Sequence, residues 1–415
     1  MADKWLKESL RARFLRYVKV HTTSDRHISS IPSTECQWDL IRMLEQELHD
    51  LGISDVKVFE NGYVIAVLPA SEGIQSPVIG LMAHVDTSED APGKNVKPKI
   101  TERYDGSVLD VGNGVSVDPV DFPVLASCLG HEIISSDGTT LLGADDKAGI
   151  AIIMTAAEYL LKHPEMKHGI LELVFTPDEE TGKGLDLFPV KELDSVCCYT
   201  LDGDTEACIE SECFNAVKAE ILFKGRMIHP GKARGQLINA ITLVSKFLQL
   251  LPQAESPEAT DGRYGFYYPH EITGSASELS LEMYLRDFES DILDGRISAL
   301  RKAAEAVEAA FPGSEVKVSA TKQYSNMRDY IEKDPRILNL LREAVRNAGM
   351  EPLEKPIRGG TDGARLSEMG IPAPNIFTGG QNFHSLSEWV SLDVMEKSTL
   401  TVLELVKLWS LEKTG

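Results

Sequence analysis

Three apolar segments of this 415-residue chain each end in acidic or histidine residues. The segments are LMAHVDT, GILELVFTPDEETG and SVCCYTLDGD, and a strongly helical pattern, GADDKAGIAIIMTAAEYLLKHP, lies between the first two. Strands that alternate with helices form an open α/β sheet, in which the functional site lies at the carboxyl ends of the strands. The sequence therefore predicts an α/β fold whose site gathers these polar residues at one sheet edge.

The character of the sequence changes at about Phe214, where a compact β-α-β-α-β series begins. A series of this size is typical of a small α+β unit with its helices on one face of the sheet. The α/β pattern resumes after residue 324. We therefore predict a mixed open sheet flanked by helices, formed by residues 1–213 and 325–415, with an inserted α+β lid domain at residues 214–324.

Composition restricts the partners that this chain can bind. The 42 basic and 64 acidic residues give a net charge of -22, which disfavours nucleic acid and anionic membranes and suits divalent cations. The chain has no run of about 18 apolar residues that would span a membrane. Six cysteines without a CxxC pair indicate reduced thiols, and the first residues lack the apolar core of a signal peptide. The expected location is the cytoplasm.

His84 and Asp86 lie two positions apart in a predicted strand, so their side chains point to the same face. One of them can bind a metal while the other accepts the second N–H of the imidazole and orients it. An H-x-D pair alone is more often structural, and its meaning depends on the residues around it.

Further imidazole and carboxylate groups recur at the predicted junctions between strands and loops. The set comprises His84, Asp145, Glu179, Glu180, Asp202 and His384. Nitrogen and oxygen ligands without cysteine are typical of a hydrolytic zinc, manganese or cobalt site, and a shared acid can hold two ions about 3.5–4 Å apart. A single loop acid is usually a solvated charge, but the recurrence at successive strand ends favours a metal site.

Several stretches of the chain resemble a known family. They are HVDT, TTLLGADDKAGIA, FTPDEETGKG, YTLDGD, HPGKARGQLINA, RDF and IRGGTDGARLSEMGIPAPNIFTGGQNFHS. In this order they resemble the peptidase T branch of the dinuclear zinc exopeptidases, a family that includes carboxypeptidase G and the succinyl-diaminopimelate desuccinylases. The resemblance implies a zinc exopeptidase-like catalytic domain and removal of the amino-terminal residue from tripeptides. It also implies two divalent cations per chain, expected to be zinc, with cobalt or manganese as alternatives.

The family pattern, placed on the matching positions, implies a ligand for each cation. The ligands are His84, Asp145 and Asp202 for one cation and Asp145, Glu180 and His384 for the other. Asp145 becomes the shared ligand because the family's bridging acid stands two residues before a lysine, here Lys147.

The same resemblance assigns the remaining roles. Glu179 would be the general base and Asp86 would orient His84. Candidate groups for the substrate's carbonyl and carboxylate are His229, Arg286 and Arg358. A loop histidine and a surface-strand arginine also have ordinary structural explanations.

Two positions depart from the branch's pattern, namely Asp204 beside Asp202 and the segment SLSEW after His384. Both concern the rim of the site rather than a ligand, so the peptide preference stays open. Small peptides are the expected partners, and a homodimer is left open. The alternatives are a carboxypeptidase, a dipeptidase or an N-acyl amino-acid hydrolase of the same family, and, from another class, an inactive metal-stabilised binding protein.

Overall fold

The structure is a computed structural model that describes residues 4–413. The chain forms two compact units. Unit 1 consists of Met1–Ser211, Asp329–Lys355 and Thr361–Gly415, and unit 2 of Glu212–Arg328 and Pro356–Gly360.

The described residues contain ten α-helices. They are α1 Lys4–Tyr17, α2 Gln37–Asp50, α3 Pro123–Ser127, α4 Ala144–Lys162, α5 Ala240–Gln249, α6 Ser290–Ala310, α7 Arg328–Ile331, α8 Arg336–Asn347, α9 Asp362–Glu368 and α10 Leu392–Trp409.

The same residues contain eighteen strands. They are β1 Asp55–Val58, β2 Val64–Leu68, β3 Ile79–His84, β4 Lys99–Thr101, β5 Leu109–Gly112, β6 Val115–Val117, β7 Ile133–Ser135, β8 Leu171–Thr176, β9 Cys197–Gly203, β10 Cys208–Glu210, β11 Asn215–Lys224, β12 Phe266–Gly274, β13 Glu278–Asp287, β14 Glu315–Tyr324, β15 Leu353–Glu354, β16 Asn375–Phe377, β17 Gly380–Gln381 and β18 Trp389–Ser391.

Unit 1 is built around an eight-stranded mixed sheet with the order β1-β2-β8-β3-β9-β16-β10-β15. Its central strands β8, β3 and β9 are parallel neighbours, and His84 at the end of β3 pairs with Thr176 at the end of β8. Parallel neighbours bring their carboxyl ends to one edge. The predicted mixed open sheet flanked by helices is confirmed. His84 lies at its predicted position, at the carboxyl ends of the parallel strands.

Helix α4 is the central helix of unit 1. It packs against β3 and β9 and also against α1 and α10. Ile150, Ile153, Met154 and Ala157 are fully or almost fully buried, as expected of a helix that is apolar on all sides. This packing holds the first turn of α4, with its acidic residues, near the strand ends.

The early elements of unit 1 follow the sequence prediction closely. The apolar stripes predicted as surface helices form α1 and α2, and β1 and β2 form the predicted hairpin with Gly62 in the left-handed region at φ +80°. The long Pro-, Gly- and Asp-rich segment contains only short elements, from β4 to α3, as expected for an irregular excursion.

Unit 2 contains a four-stranded antiparallel sheet with the order β12-β13-β11-β14. Helices α5 and α6 pack on one face of it, where alternate residues such as Ile221, Phe223 and Leu281 are buried. The sequence predicts β11, β13 and β14 but misses β12. That strand lies at an edge, is mostly exposed and includes Pro269, so it lacks the alternation that identifies a strand.

The boundaries of unit 2 differ from residues 214–324 at both ends, and unit 2 also takes in Pro356–Gly360. Those five residues join it because Ile357 N–H donates to the Glu212 carbonyl at 2.8 Å and Arg358 binds the loop at residues 260–264. The predicted three-part division stays a prediction. Among residues 4–413, no helix has the length and apolar character that crossing a bilayer requires.

Candidate metal and active site

The ends of three parallel strands and the start of one helix supply most of the candidate residues in unit 1, and His384 lies between β17 and β18. His84 ends β3, Glu179 and Glu180 follow β8 in a single 3₁₀ turn, and Asp202 is the penultimate residue of β9. Asp145 is contributed by the first turn of α4, where its φ of -82° and ψ of 104° are not helical. These side chains therefore come from separate elements that share one sheet edge.

Asp145 lies between two histidines. Its Oδ1 is 2.9 Å from His84 Nε2, and its Oδ2 is 3.1 Å from His384 Nε2. His84 Nε2 is also 3.6 Å from Asp202 Oδ1, and His384 Nε2 is 3.0 Å from Glu180 Oε2. Each carboxylate oxygen of Asp145 thus faces a different group of ligand atoms.

Two groups of residues have the spacing that a metal ion requires. They are His84, Asp145 and Asp202, and Asp145, Glu180 and His384, with the ligand atoms of each group within 4.8 Å of one another. These groups match the two ligand sets that the resemblance implies. Their function as ligands stays a prediction.

Asp86 and Asp146 hold His84 and the turn that carries Glu179 and Glu180 in place through hydrogen bonds. Asp86 Oδ1 lies 3.2 Å from His84 Nδ1 and accepts the N–H of Glu179 at 3.0 Å, while its Oδ2 accepts the N–H of Glu180 at 3.3 Å. Asp146 accepts the backbone N–H of His84 at 3.2 Å. Asp86 is completely buried, so it can fix the imidazole and the turn that carries both glutamates at once.

Burial of several acids in one place shifts their protonation. Burial, followed by the charge of Asp145, raises the pKa of Glu180 to about 8 and that of Asp202 to about 6. Burial also raises the pKa of Asp145, but the two histidines outweigh it and hold that pKa well below its usual range. Hydrogen bonds to Asp145 and Glu180 raise the pKa of His384 to about 11. The site therefore concentrates negative charge that needs positive partners.

Glu180 provides a direct test of whether a cation fits. Its Oε1 is buried and has no hydrogen-bond donor among the described residues. A buried carboxylate oxygen without a partner is costly, whereas a bound cation would satisfy it. The donor set of imidazole nitrogens and carboxylate oxygens also suits zinc, manganese or cobalt. The residues present therefore fit two divalent cations.

The three consecutive acids after β8 have different surroundings. Asp178, with φ +60°, is completely buried and accepts Ser33 N–H at 2.6 Å, Ser33 O–H at 2.6 Å and Gln37 Nε2 at 2.7 Å. It is a buried anchor for the segment before α2 rather than a simple turn residue. Burial, then the charges of nearby acids, raises the pKa of Glu179 well above its ordinary value, although nearby His84 lowers it.

Two acids that the sequence analysis did not select also lie at this site. Asp362 accepts Thr176 O–H at 2.8 Å. Its carboxylate also lies close to Glu179, because both border Gly184: a Cβ placed on that glycine would lie 2.7 Å from Asp362 Oδ1 and 3.0 Å from Glu179 Cα. Asp90 Oδ2 lies 3.3 Å from Nδ1 of His384. Asp362 belongs to the Gly-rich stretch RGGTDGARL, which was the available signal, whereas Asp90 lies in an irregular loop without one.

The three candidate substrate-binding residues belong to unit 2. His229 is exposed, and its Nδ1 accepts the N–H of Gly231 at 3.1 Å. Arg286 lies over the rings of Tyr284 and Tyr324, with its guanidinium carbon 5.2 and 5.6 Å from their centroids. Arg358 donates to backbone carbonyls within unit 2. Their role in substrate binding stays a prediction.

Comparison with known proteins identifies the family. The family described as peptidase family M20/M25/M40 matches residues 141–408, which is more than half of the chain and includes the shared Asp145 and His384. The chain belongs to peptidase family M20/M25/M40. Curated relatives named peptidase T resemble the chain over almost their entire length. A peptidase T from Geobacillus thermodenitrificans is 46% identical over 99% of this chain and 100% of its own, and one from Bacillus subtilis is 45% identical over 97% and 98%.

Several solved structures share the fold. An aminopeptidase from Bacillus cereus has a TM-score of 0.78 at 22% identity, with 97% of this chain and 98% of that chain covered. A tripeptidase from Staphylococcus aureus has a TM-score of 0.77 at 21% identity over 97% and 98%. A peptidase from Bacillus subtilis described as a dinuclear metal-binding member of the M20 family has a TM-score of 0.68 at 16% identity, covering 98% and 99%. That neighbour is described as binding two metal ions, and this chain has two candidate ligand groups.

Proposed function

We propose that this protein is a metal-dependent aminopeptidase that releases the amino-terminal residue of tripeptides. The observation that carries the proposal is the pair of ligand groups that share Asp145. Support for the substrate class comes from full-length relatives named peptidase T at 45–46% identity. Zinc is the cation we propose, with cobalt or manganese as alternatives, since the ligands are imidazoles and carboxylates.

In this proposal each ligand group holds one cation. His84, Asp145 and Asp202 would hold the first, and Asp145, Glu180 and His384 the second. Asp86 would orient His84 through its contact with Nδ1, which leaves Nε2 directed at the cation. When bound, the cations would act as Lewis acids and lower the pKa of water toward about 7.

Glu179 is proposed as the general base. Its carboxylate would accept a proton from the attacking water and then deliver it to the leaving amine, so that one group serves both proton transfers. Its backbone N–H donates to Asp86 Oδ1, which fixes the position of the residue. Glu180 next to it is directed to His384 instead, which supports different roles for the two glutamates.

His229, Arg286 and Arg358 complete the proposal as substrate-binding groups. Arginines are suited to a substrate carboxylate because the guanidinium offers a planar fork of donors. The cytoplasm remains the proposed location, supported by six cysteines without the spacing of a disulfide framework.

Hydrolysis of a panel of di-, tri- and tetrapeptides tests this function. The full chain is assayed with added zinc, cobalt or manganese, and the products are separated by chromatography. Release of the amino-terminal residue from tripeptides with a free amino end is expected. Cleavage at the carboxyl end, or of N-acylated amino acids alone, would instead favour another hydrolase of the family. Bound metal without hydrolysis of any peptide would favour the inactive binding protein.

A further inference from the structure

Glu388 lies four residues after His384 and is completely buried. Its carboxylate accepts hydrogen bonds from three backbone amides. Oε2 accepts from Leu142 at 2.7 Å and from Gly143 at 2.8 Å, and Oε1 accepts from Asp145 at 3.2 Å. A residue far along the chain thus binds the segment that carries the shared Asp145.

Leu142 and Gly143 precede α4 and Asp145 is its second residue, so none of the three amides has an acceptor within the helix. Helix α4 has 19 residues, and its first turn is irregular at Asp145 and Asp146. Gly143 before it adopts φ +81° and offers no side-chain cap. A carboxylate at this end also interacts favourably with the helix dipole. Glu388 therefore caps α4 from outside the helix.

We propose that Glu388 is a positioning residue that holds Asp145 in the orientation in which its two oxygens face the two ligand groups. The inference rests on the proposed function, since it takes Asp145 to be the shared ligand. Glu388 itself faces the backbone amides rather than the histidines, so it acts through Asp145. The segment SLSEW, which departs from the expected pattern after His384, supplies this residue.

The contact geometry explains why a carboxylate is needed. A glutamine has one acceptor oxygen and one NH₂ group, which cannot accept. If the amide oxygen keeps the bonds to Leu142 and Gly143, the NH₂ group faces the N–H of Asp145. Glu388→Gln therefore preserves size while removing the hydrogen bond to the shared ligand.

Glu172 provides a matched control in the same unit. It is buried, with an exposure of 3%, and accepts the N–H groups of Asp194 at 2.9 Å and Ser195 at 3.0 Å. It lies near the start of β8, whereas the candidate site follows the end of that strand. Glu172→Gln thus removes a comparable buried carboxylate without touching the segment before α4.

The test measures cobalt binding to the full chain by isothermal titration and by visible absorption. Outer-shell partners of a metal ligand typically change metal affinity by about 10–100-fold. We expect Glu388→Gln to weaken cobalt binding by that factor and to speed hydrogen exchange at residues 142–145. Glu172→Gln should leave both measurements at wild-type values, even if it lowers the thermal stability as much as Glu388→Gln does.

Wild-type cobalt affinity and wild-type exchange at residues 142–145 in Glu388→Gln would overturn the inference. An equal loss of cobalt affinity in Glu388→Gln and Glu172→Gln would also overturn it, because that would indicate general destabilisation. These results differ from a failure of the proposed function, which would show as a wild-type chain that binds two cobalt ions but cleaves no peptide. In that case the effect of Glu388→Gln on cobalt affinity would still support the positioning role.

Discussion

Asp145 is the residue on which the proposed site depends most, because it alone among the described residues belongs to both ligand groups. Its backbone is held by Glu388 and its carboxylate lies between His84 and His384. The neighbouring Asp146 belongs to neither group and accepts the N–H of His84 and of Gly149. Adjacent acids in this protein therefore perform different tasks.

Glu179→Gln should separate catalysis from metal binding. The variant cannot accept a proton, so kcat on a tripeptide should fall at least about 100-fold, which is the lower end for loss of a general base. Two metal ions per chain should remain, as measured by elemental analysis. Loss of metal together with activity would mean that Glu179 is a ligand instead.

His384→Ala provides the opposite expectation in the same assays. It removes an imidazole that lies 3.0 Å from Glu180 Oε2 and 3.1 Å from Asp145 Oδ2. The metal content should fall toward one ion per chain, and activity should fall with it. A normal metal content in this variant would contradict the proposed second ligand group.

At the scale of elements, the sequence predicts well where apolar patterns are strong. Strands β3, β8 and β9 and helix α4 are apolar on both faces or on all sides, so their existence and the polar residues at their ends follow from local pattern. Strand β12 is missed because an exposed edge strand has no such pattern. Glu388 is missed because its partners are 243–246 residues away, and no local signal records them.

Arg358 appears in the structure as a clamp within unit 2. Its Nη1 donates to the carbonyls of Gly262 and Tyr264, and its Nη2 to the carbonyl and hydroxyl of Thr260. A lysine in Arg358→Lys cannot make the same set of hydrogen bonds as the guanidinium. We therefore expect the free energy of unfolding to fall by about 2 kcal/mol and hydrogen exchange at residues 260–264 to become faster.

The exposed Arg301 on α6 provides the control for this change, because Arg301→Lys should alter neither quantity. A raised KM for tripeptides with unchanged exchange in Arg358→Lys would instead support the role in substrate binding that the sequence predicts.

His168, just before β8, should make stability depend on pH. Its side chain is almost fully buried, with an exposure of 6%, and its Nδ1 lies 2.9 Å from the carbonyl of Gly169. Burial lowers the pKa of His168, so below about pH 6.5 the unfolded chain binds more protons than the folded one. The free energy of unfolding should therefore fall as pH decreases through this range, down to the lowered pKa.

Chemical denaturation at several pH values checks this expectation. His168→Gln should reduce the dependence on pH relative to wild type, whereas His27→Gln, at an exposed position, should not. Identical pH profiles for wild type and His168→Gln would show that the buried imidazole does not contribute.

At the scale of the whole molecule, the candidate ligands are distributed unequally. All five lie in unit 1, although the chain that forms this unit is interrupted by unit 2. The change of pattern near Phe214 predicts an inserted domain. The sequence does not predict that Pro356–Gly360 belongs to unit 2, because contacts with Glu212 and with the loop at residues 260–264 place it there.

Removal of metal should therefore affect the two units differently. A ligand present at about 1,000 times its dissociation constant stabilises the unit that binds it by about 4 kcal/mol. Treatment with a chelator should lower the protection of unit 1 amides in hydrogen exchange and leave those of β11, β13 and β14 unchanged. An equal loss in both units would contradict a site confined to unit 1.

The strand order of unit 1 also bears on how the protein is made. Strand β16 pairs with both β9 and β10, but the ribosome delivers it only after all of Glu212–Arg328. Until then β9, which carries Asp202, has no partner on that side, and His384 has not been synthesised. The nascent chain thus holds its acids well before the histidine that completes the second ligand group. A chain built in this order cannot complete the second proposed ligand group until the residues that follow unit 2 have been synthesised.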